Sequence, residues 1–381
     1  RIARFHYDSG HFSQARDYVE RARAIARKES NEVGLAQTWE MEALIFISEG
    51  QRDEAYELLE RAIDVYEQGD GPDCVEGLAN AHNLRGVILR QSGRQTDALD
   101  AYDEALRWAE EGDLRKQVRY LLINSGLAHV YLGGFSEALE RYERALEQCR
   151  QLGNRKDEAA TLVNQGHAYF LLGQLERAIA KIQRGIYLAR KTEQNASIAD
   201  GQISLGLCYM ERGDLQAAEN ALQEGLRIAD SIPNIYLSVH ATLGLAEVRL
   251  NAGSNDDGRI ALMQAEDAVE RSEDAELQWG VAYGKSLMAR ALKIVGKRDR
   301  AIEVSREAIE LVSDAEMFSV EQILYHHTQI LPDDAEHADE REQTIDRARE
   351  MVDHRCRHID DPDLRESFLD RDIYRQIKNV A

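Results

Sequence analysis

The residues best suited to chemistry lie near the C-terminus, where His354, Cys356 and His358 alternate with arginines. A helix would place His354 and His358, four residues apart, on one face, where they could hold a metal ion. Cys356 would then point elsewhere, and no second pair of ligands is near in the sequence. We therefore expect a solvated helix here, with neither a metal nor a cofactor.

Two further groups of polar residues were weighed as catalytic candidates. His326 and His327 are neighbours on a predicted helix and face different directions, so one should be half-buried and the other exposed. Acidic pairs occur in predicted loops, where we expect them to cap helices and favour solubility: Asp256-Asp257, Asp333-Asp334 and Asp360-Asp361. The sequence contains neither a Gly-rich phosphate motif with lysine nor a nucleophile elbow. It does not predict an enzyme.

The elements that carry these residues repeat along the chain. Residues 165–190 have the pattern of two amphipathic helices joined at Gly173, and similar turn glycines recur 40 or 43 residues apart: Gly10, Gly50, Gly93, Gly133, Gly173, Gly213, Gly253 and Gly296. A regular period of this size indicates a solenoid. Glycine suits a tight helix–helix turn because the turn often needs a left-handed residue.

Small residues keep fixed positions around each turn glycine. One stands seven residues before the turn, at Ala43, Gly86, Gly126, Gly166, Gly206, Ala246 and Ala289. Another follows five residues after the turn, as at Ala138 and Ala178, and a third lies seven residues later, as at Gly185. Seven residues make two helical turns, so these small residues share a face and permit close helix packing.

Two irregularities have predicted explanations. Each of the two 43-residue intervals holds three extra residues, which we assign to the connection at residues 69–74 and to a longer helix over 275–295. Gly258 lies where the second helix of its unit should begin. That helix is therefore expected to start late or to fray.

The pattern resembles the tetratricopeptide repeat (TPR) signature in a form of about forty residues, on Gly166, Tyr169, Gly173, Ala178, Ile182 and Gly185. The resemblance implies an all-α fold, a right-handed α-solenoid of about eight helix-turn-helix repeats. The array would span residues 1–315 with a truncated first repeat, and capping helices would span 316–381. In the cap, helices are expected over 318–330 and 338–359, and Asp361-Pro362 should start another.

Asparagines recur on the first helices of the units. Asn124 and Asn164 stand two residues before the small glycine of their units, and Asn83 stands one residue earlier in its own. In TPR proteins this side lines the concave groove, where asparagine could clamp a peptide backbone. Alternatively, the asparagines bond to the adjacent helix and fix stacking. The groove predicted from this register comprises Asn80, Asn83, Arg90, Tyr120, Asn124, Asn164 and His167. Its use requires that the C-terminal helices do not fill it.

Charge and composition narrow the choice of partner. The chain carries 47 basic and 69 acidic residues, a formal charge of −22. Nucleic acids and anionic membranes are therefore not expected partners, because both bind lysine and arginine. Four scattered cysteines suit a reducing cytoplasm, and no apolar run approaches a membrane span.

The two ends of the chain suggest a larger context. The sequence opens on half a repeat, from which we expect an upstream effector domain in the same chain. Residues 361–377 resemble an ending of TPR regions in large bacterial signalling proteins, where a Ser/Thr kinase or a STAND-type ATPase precedes the repeats. The main hypothesis is a non-enzymatic scaffold or sensor region that binds a protein or peptide in its groove. The alternatives are a free-standing adaptor or peptide-pheromone receptor and, more remotely, an enzyme with a site across the array.

Overall fold

The computed structural model describes residues 2–8, 11–232, 234–312 and 319–380, and every regular element within these ranges is an α-helix. The predicted all-α solenoid of helical hairpins is confirmed. Each hairpin pairs a first helix, called the A helix below, with a second, the B helix. The chain separates into two compact units, unit 1 (Arg1–Ala128) and unit 2 (His129–Ala381). None of the described helices combines the length and apolar character needed to cross a membrane.

Unit 1 is built from A helices with odd numbers and B helices with even numbers. Its helices are α1 (Ile2–Asp8), α2 (Phe12–Lys28), α3 (Glu32–Ser48), α4 (Arg52–Gln68), α5 (Pro72–Gln91), α6 (Gln95–Glu111) and α7 (Arg115–Leu132), the last of which ends in unit 2. Consecutive A helices also touch, as α3 and α5 do. The fully buried side chains of Tyr66 and Tyr102 fill the spaces between the helices.

Unit 2 continues the alternation and adds helices after the array. Its helices are α8 (Phe135–Gln151), α9 (Arg155–Leu171), α10 (Leu175–Lys191), α11 (Asn195–Glu211), α12 (Leu215–Ala229), α13 (Ile235–Ala252), α14 (Asn255–Asp274), α15 (Gln278–Ile294), α16 (Arg298–Glu310), α17 (Val320–Ile330), α18 (Ala338–Arg357), α19 (Pro362–Leu369) and α20 (Asp372–Asn379). The A helices α9, α11, α13, α15 and α17 contact one another in sequence.

The predicted turn glycines adopt the backbone that the turn requires. From Gly50 to Gly296 all seven described members have φ between +73° and +84°, the left-handed region that glycine enters without strain. Three positions named by the sequence analysis lie outside the described residues: Gly10, Phe318 and the boundary at residues 315–316.

The small residues allow the helices of a hairpin to touch. A Cβ added at Gly166 would lie 2.5 Å from Ile182 Cγ1 and 3.0 Å from the Ala178 carbonyl oxygen. A Cβ at Gly185 would likewise lie 2.9 Å from the Ala159 carbonyl oxygen. Side chains at these points would push α9 and α10 apart, as the register predicted.

The explanations offered for the two 43-residue intervals were wrong. In the first interval the extra turn belongs to α5, which has 20 residues against 17 in α3 and begins with Pro72 in its first turn. In the second interval the 20-residue helix is α14, whereas α15 has 17. Extending a helix by about one turn preserves the hairpin contacts.

The prediction of a late or frayed helix around Gly258 was also wrong. Helix α14 begins at Asn255, because Ser254 Oγ accepts a 3.1 Å hydrogen bond from the Asp257 backbone N–H and caps the first turn. A Cβ at Gly258 would lie 2.6 Å from Ile294 Cγ2. The glycine therefore serves close packing against α15 and does not end the helix.

The C-terminal helices form largely where the sequence predicts them. Helix α18 buries Ile345, Ala348 and Val352 along one stripe. Asp361 Oδ1 accepts hydrogen bonds from the backbone of Asp363 (2.9 Å) and Leu364 (3.3 Å), and so caps α19.

Candidate functional site

The C-terminal helices fold back onto the array within unit 2. The side chain of Gln174, at the turn between α9 and α10, donates a hydrogen bond to Ser367 Oγ of α19. A Cβ added at Gly173 would lie 2.3 Å from the Ser367 carbonyl oxygen, so only glycine fits at this crossing. The ring of Phe368 is fully buried, with its centroid 5.9 Å from that of Phe135.

The α20 segment (residues 371–380) is held to α18 through Arg349 and Lys378, and it makes two further polar contacts with the A helices. The Arg371 guanidinium makes a bidentate pair with the Glu211 carboxylate, through Nε to Oε1 at 3.2 Å and Nη2 to Oε2 at 3.0 Å. The same guanidinium lies over the ring of Phe170, 4.8 Å from its centroid. Further along, the Tyr374 hydroxyl donates a 3.1 Å hydrogen bond to Glu321 Oε1 of α17.

Between α20 and the A helices lies a cavity of about 510 Å³, called the unit 2 cavity below. Its walls are the C-terminal ends of α9 and α11, residues along most of the length of α13 and α15, and α17, and α20 closes one side. A volume of this size is typical of small-molecule and peptide side-chain sites. Helix α20 thus covers part of the surface that a peptide-binding groove would need to be open. The cavity is the part of that surface that α20 leaves uncovered.

The lining of the cavity follows the register of the repeat. Five positions after the small residue of α9, α11, α13 and α15 stand Leu171, Glu211, Asn251 and Ile294, and all four line the cavity. The position directly after the small residue contributes Leu207, Glu247 and Arg290. The position six before it contributes His240 and Tyr283.

The sequence analysis had named equivalents of these positions in other repeats. His167 directly follows a small residue, as Glu247 and Arg290 do, and Tyr120 stands six before one, as His240 and Tyr283 do. The cavity residues themselves were missed because the register was applied only to the repeats that contain asparagine. Extending it to α11, α13 and α15 would have found them.

A polar network crosses one wall of the unit 2 cavity. The Tyr283 hydroxyl donates to Glu247 Oε2 at 2.8 Å, and Gln322 Nε2 donates to Glu247 Oε1 at 2.8 Å. Arg290 lies 3.8 Å from the same carboxylate. Arg290 Nη2 also donates to Asn251 Oδ1 at 3.2 Å, so the network links α13, α15 and α17 and holds their side chains in place.

Three polar atoms beside the cavity have no hydrogen-bond partner among the described residues: Glu321 Oε2, Trp279 Nε1 and His240 Nδ1. Glu321 is only 2% exposed, and its other oxygen accepts from Tyr374 and pairs with Arg355 at 3.2 Å. Burial lowers the pKa of His240 to about 4, so its imidazole is neutral near pH 7. These three atoms are therefore buried beside the cavity and do not face its open volume.

In unit 1 the structure brings two of the predicted groove residues together. Asn124 Nδ2 of α7 donates a 2.9 Å hydrogen bond to Asn83 Oδ1 of α5, and both side chains are half-buried. Asn80, one turn before Asn83, is also half-buried and stabilises the ionised form of Glu40 by a hydrogen bond. Burial nevertheless raises the pKa of Glu40 to about 7, and the Tyr66 hydroxyl, which donates to Glu40 at 3.3 Å, only partly opposes that rise.

The other two predicted residues of unit 1 are placed differently from each other. Tyr120 is 41% exposed, with the guanidinium of Arg119 5.3 Å from its ring centroid. The positive charge of Arg90 lowers the pKa of the buried Tyr102 phenol of α6, against the larger raising effect of burial. Arg90 thus contacts the B helix of its own hairpin.

The last two predicted residues, Asn164 and His167, lie on α9 in unit 2 and are half-buried. The ring centroid of His167 is 6.0 Å from that of Phe170, a cavity residue. Burial lowers the pKa of His167 to about 3, with smaller contributions from His240 and Arg371. His167 is therefore a neutral imidazole next to the cavity.

The prediction for the adjacent histidines of α17 was wrong, because both are buried. His326 Nδ1 lies 2.8 Å from Ser286 Oγ, and His327 Nδ1 lies 2.9 Å from Ser305 Oγ. They face different directions, as predicted, but α17 is covered on two sides, by α15 and by α16 with α18. Near the C-terminus, His358 Nδ1 bonds to the His354 carbonyl oxygen at 2.8 Å, and the described residues contain no group of three potential metal ligands.

Comparison with protein families gives two matches. A model described as the MalT-like TPR region matches residues 79–350, and a tetratricopeptide repeat model matches residues 34–111. No curated protein matches the sequence.

Solved structures with the same fold cover nearly the whole chain. NprR in complex with its cognate peptide NprX is 17% identical and has a TM-score of 0.63, covering 87% of this chain and 94% of its own. The apo form of the quorum sensor NprR from B. thuringiensis is 15% identical with a TM-score of 0.60, covering 92% and 94%. A Rap protein complexed with competence and sporulation factor is 15% identical with a TM-score of 0.60, covering 90% and 97%. At these identities the likeness shows the fold alone.

Proposed function

Because the chain belongs to the family of MalT-like TPR regions, we propose that it is a non-enzymatic binding region that captures a protein or peptide segment on the faces of its A helices. In unit 2 the segment enters the unit 2 cavity. The observation that carries this proposal is the unit 2 cavity itself, where the aromatic rings of Trp279 and Tyr283 lie beside the fixed polar groups of Glu247 and Arg290. Proteins with this fold include NprR with its cognate peptide and a Rap protein with competence and sporulation factor.

The lining residues suit a peptide better than a reaction. Glu247 and Arg290 are already held by neighbouring side chains, and the aromatic ring of Trp279 packs 4.9 Å from that of Tyr236 and 5.7 Å from His240. Such a rigid, mostly apolar wall with a few fixed polar groups favours selective binding. Three histidines are near the site, His167, His240 and His326, and burial lowers the pKa of each. His326 lines the cavity, and its Nδ1 lies 2.8 Å from the buried Oγ of Ser286, which is not itself a lining residue.

The test begins with the full chain and a phage-displayed library of random peptides. Selected peptides, synthesised and labelled, should bind the chain with micromolar or better affinity. Trp279→Ala should weaken that binding at least tenfold, because it removes an aromatic wall of the cavity. Tyr187→Ala is the matched control, since Tyr187 is 53% exposed on the B helix α10. The proposal fails if no peptide is enriched, or if the two variants bind equally well.

Two contexts for this binding region are favoured by different observations. The match to the MalT-like TPR region favours a sensor region of a bacterial multidomain signalling protein, working in the cytoplasm on an effector domain of the same chain. The likeness to NprR and Rap structures favours a peptide receptor. The reading frame upstream of the Arg1 codon separates them, since an in-frame kinase or ATPase domain supports the first context only.

A further inference from the structure

Helix α20 meets the array at ligand-facing positions of the repeat. Glu211 stands at the fifth position after the small residue of α11, the position that lines the cavity in four successive A helices. Arg371 takes both oxygens of this carboxylate and covers the ring of Phe170, another lining residue. The α20 segment therefore contacts the A helices at the positions where an external segment would bind.

The attachment of α20 includes polar contacts with α18, where Arg349 Nε donates to the Ile377 carbonyl oxygen at 3.4 Å and Lys378 Nζ lies 3.0 Å from Asp353. The helix has 8 residues, which is too short to be stable alone in water. Its buried residues are Tyr374 and Ile377, and the Tyr374 ring packs 4.4 Å from that of Phe368. The Arg371–Glu211 pair is well shielded, with side-chain exposures of 9% and 19%, so losing either partner leaves a buried charge.

The geometry at Glu211 favours an arginine-bearing competitor for the same place. The carboxylates of Glu211, Glu247 and Glu321 line the cavity together with the cations of Arg290 and Lys293. Glu211 is the carboxylate whose ion-pair partner, Arg371, comes from the C-terminal segment. An arginine is the side chain that matches the bidentate geometry already present at Glu211.

Resting on the proposed function, we propose that residues 361–380 are a resident, displaceable occupant of the ligand site. The external partner is a helical peptide that presents an arginine to Glu211 and a tyrosine three residues later to Glu321. Binding of the partner and docking of α20 then exclude each other. Residues 361–380 occupy the site when the partner is absent. The partner must therefore bind tightly enough to displace them.

The experiment uses full-length chains and a labelled synthetic peptide with the sequence of residues 361–380. Arg371→Ala frees Glu211 from its resident partner, so the peptide should bind this variant at least tenfold more tightly than the wild-type chain. Arg375→Ala is the matched control, because Arg375 is an exposed arginine of α20, four residues after Arg371, that pairs with Asp372. It should bind the peptide as the wild type does. Combining Glu211→Gln with Arg371→Ala should abolish the gain.

Hydrogen exchange supplies an independent readout. Amides of residues 372–379 should exchange at least tenfold faster in Arg371→Ala than in the wild type or in Arg375→Ala. Continued protection of α20, or release of α20 without a gain in peptide binding, overturns the proposal. If Arg371→Ala does not fold, Arg371→Lys serves instead, since it keeps the charge and loses the bidentate pair. Phage-selected peptides that bind while the peptide of residues 361–380 does not would refute this inference and leave the proposed function standing.

Discussion

Asn124 Nδ2 donates a 2.9 Å hydrogen bond to Asn83 Oδ1, a bond that joins successive A helices of unit 1. Asn80, one turn before Asn83, bonds to Glu40 of α3. The Asn83–Asn124 bond is the kind of contact between helices that the stacking alternative predicts. Each residue also keeps further donors and acceptors, so stacking leaves capacity for a ligand.

This pairing predicts measurable coupling. In a double-mutant cycle, Asn83→Ala and Asn124→Ala should couple by about 0.5–1.5 kcal/mol in the free energy of unfolding, the usual worth of a half-buried hydrogen bond. Each single variant should destabilise the chain, because it leaves its partner amide unsatisfied. Urea unfolding followed by circular dichroism measures the cycle. Additive effects would mean that the bond does not hold the helices together.

Substitutions at two turn glycines should differ in their effect on stability, because only one of the two turns contacts α19. Gly173→Ala and Gly213→Ala both place alanine in a left-handed turn, at φ +73° and +84°, which costs about 1 kcal/mol. Only at Gly173 does the new Cβ collide with Ser367; around Gly213 nothing lies within 4 Å. Gly173→Ala should therefore lower the thermal midpoint further and speed hydrogen exchange in α19 and α20. Equal exchange in the two variants would show that the crossing is not tight.

The raised pKa of Glu40 predicts that the chain loses stability as the pH rises towards neutrality. Its pKa is raised to about 7 by burial, against 4.5 for the ordinary group, so the folded chain holds a proton that the unfolded chain has lost between these values. Stability from this site therefore falls as the pH rises from 4.5 through 7. Glu40→Gln removes the titration and should gain on the order of 2 kcal/mol over wild type at pH 8 relative to pH 5. Urea unfolding at both pH values measures the difference, and a constant difference contradicts it.

His240 predicts the opposite dependence. Burial lowers its pKa to about 4, so between pH 6.5 and 4 the unfolded chain binds a proton that the folded chain excludes. Stability must then fall as the pH drops through this window. His240→Gln should reduce the loss between pH 7 and 5 by on the order of 1 kcal/mol. The prediction fails if unfolding curves of wild type and variant shift equally with pH.

The repeat could be predicted from the sequence because its determinants are local. Gly173 marks a turn through its own positive φ, and Gly166 and Gly185 mark contacts within one hairpin, with Ile182 and Ala159. Errors arose where local rules compete: Gly258 looked like a helix breaker, but the Ser254 cap and packing against Ile294 prevailed. The burial of His327 depends on α16 and α18, and no pattern within α17 reveals that cover.

The candidate site was only partly predictable for the same reason. Applying the repeat register to every A helix would have pointed to Glu211, Glu247 and Arg290. The wall formed by the α20 segment could not be predicted from the repeat register. Arg371 and Glu211 are 160 residues apart, and the local sequence around each residue gives no indication of the other. Salt-bridge partners at such separation are decided by tertiary packing alone.

Helix α20 follows every other wall of the unit 2 cavity in chain order, which has a consequence for biosynthesis. While the ribosome is still making residues beyond α17, the A helices can already stack and expose Glu211 to the surroundings. Closing a loop of this length carries an entropic penalty and comes late in folding. A nascent chain therefore passes through an interval in which the binding surface is open. A partner present during translation does not then compete with α20.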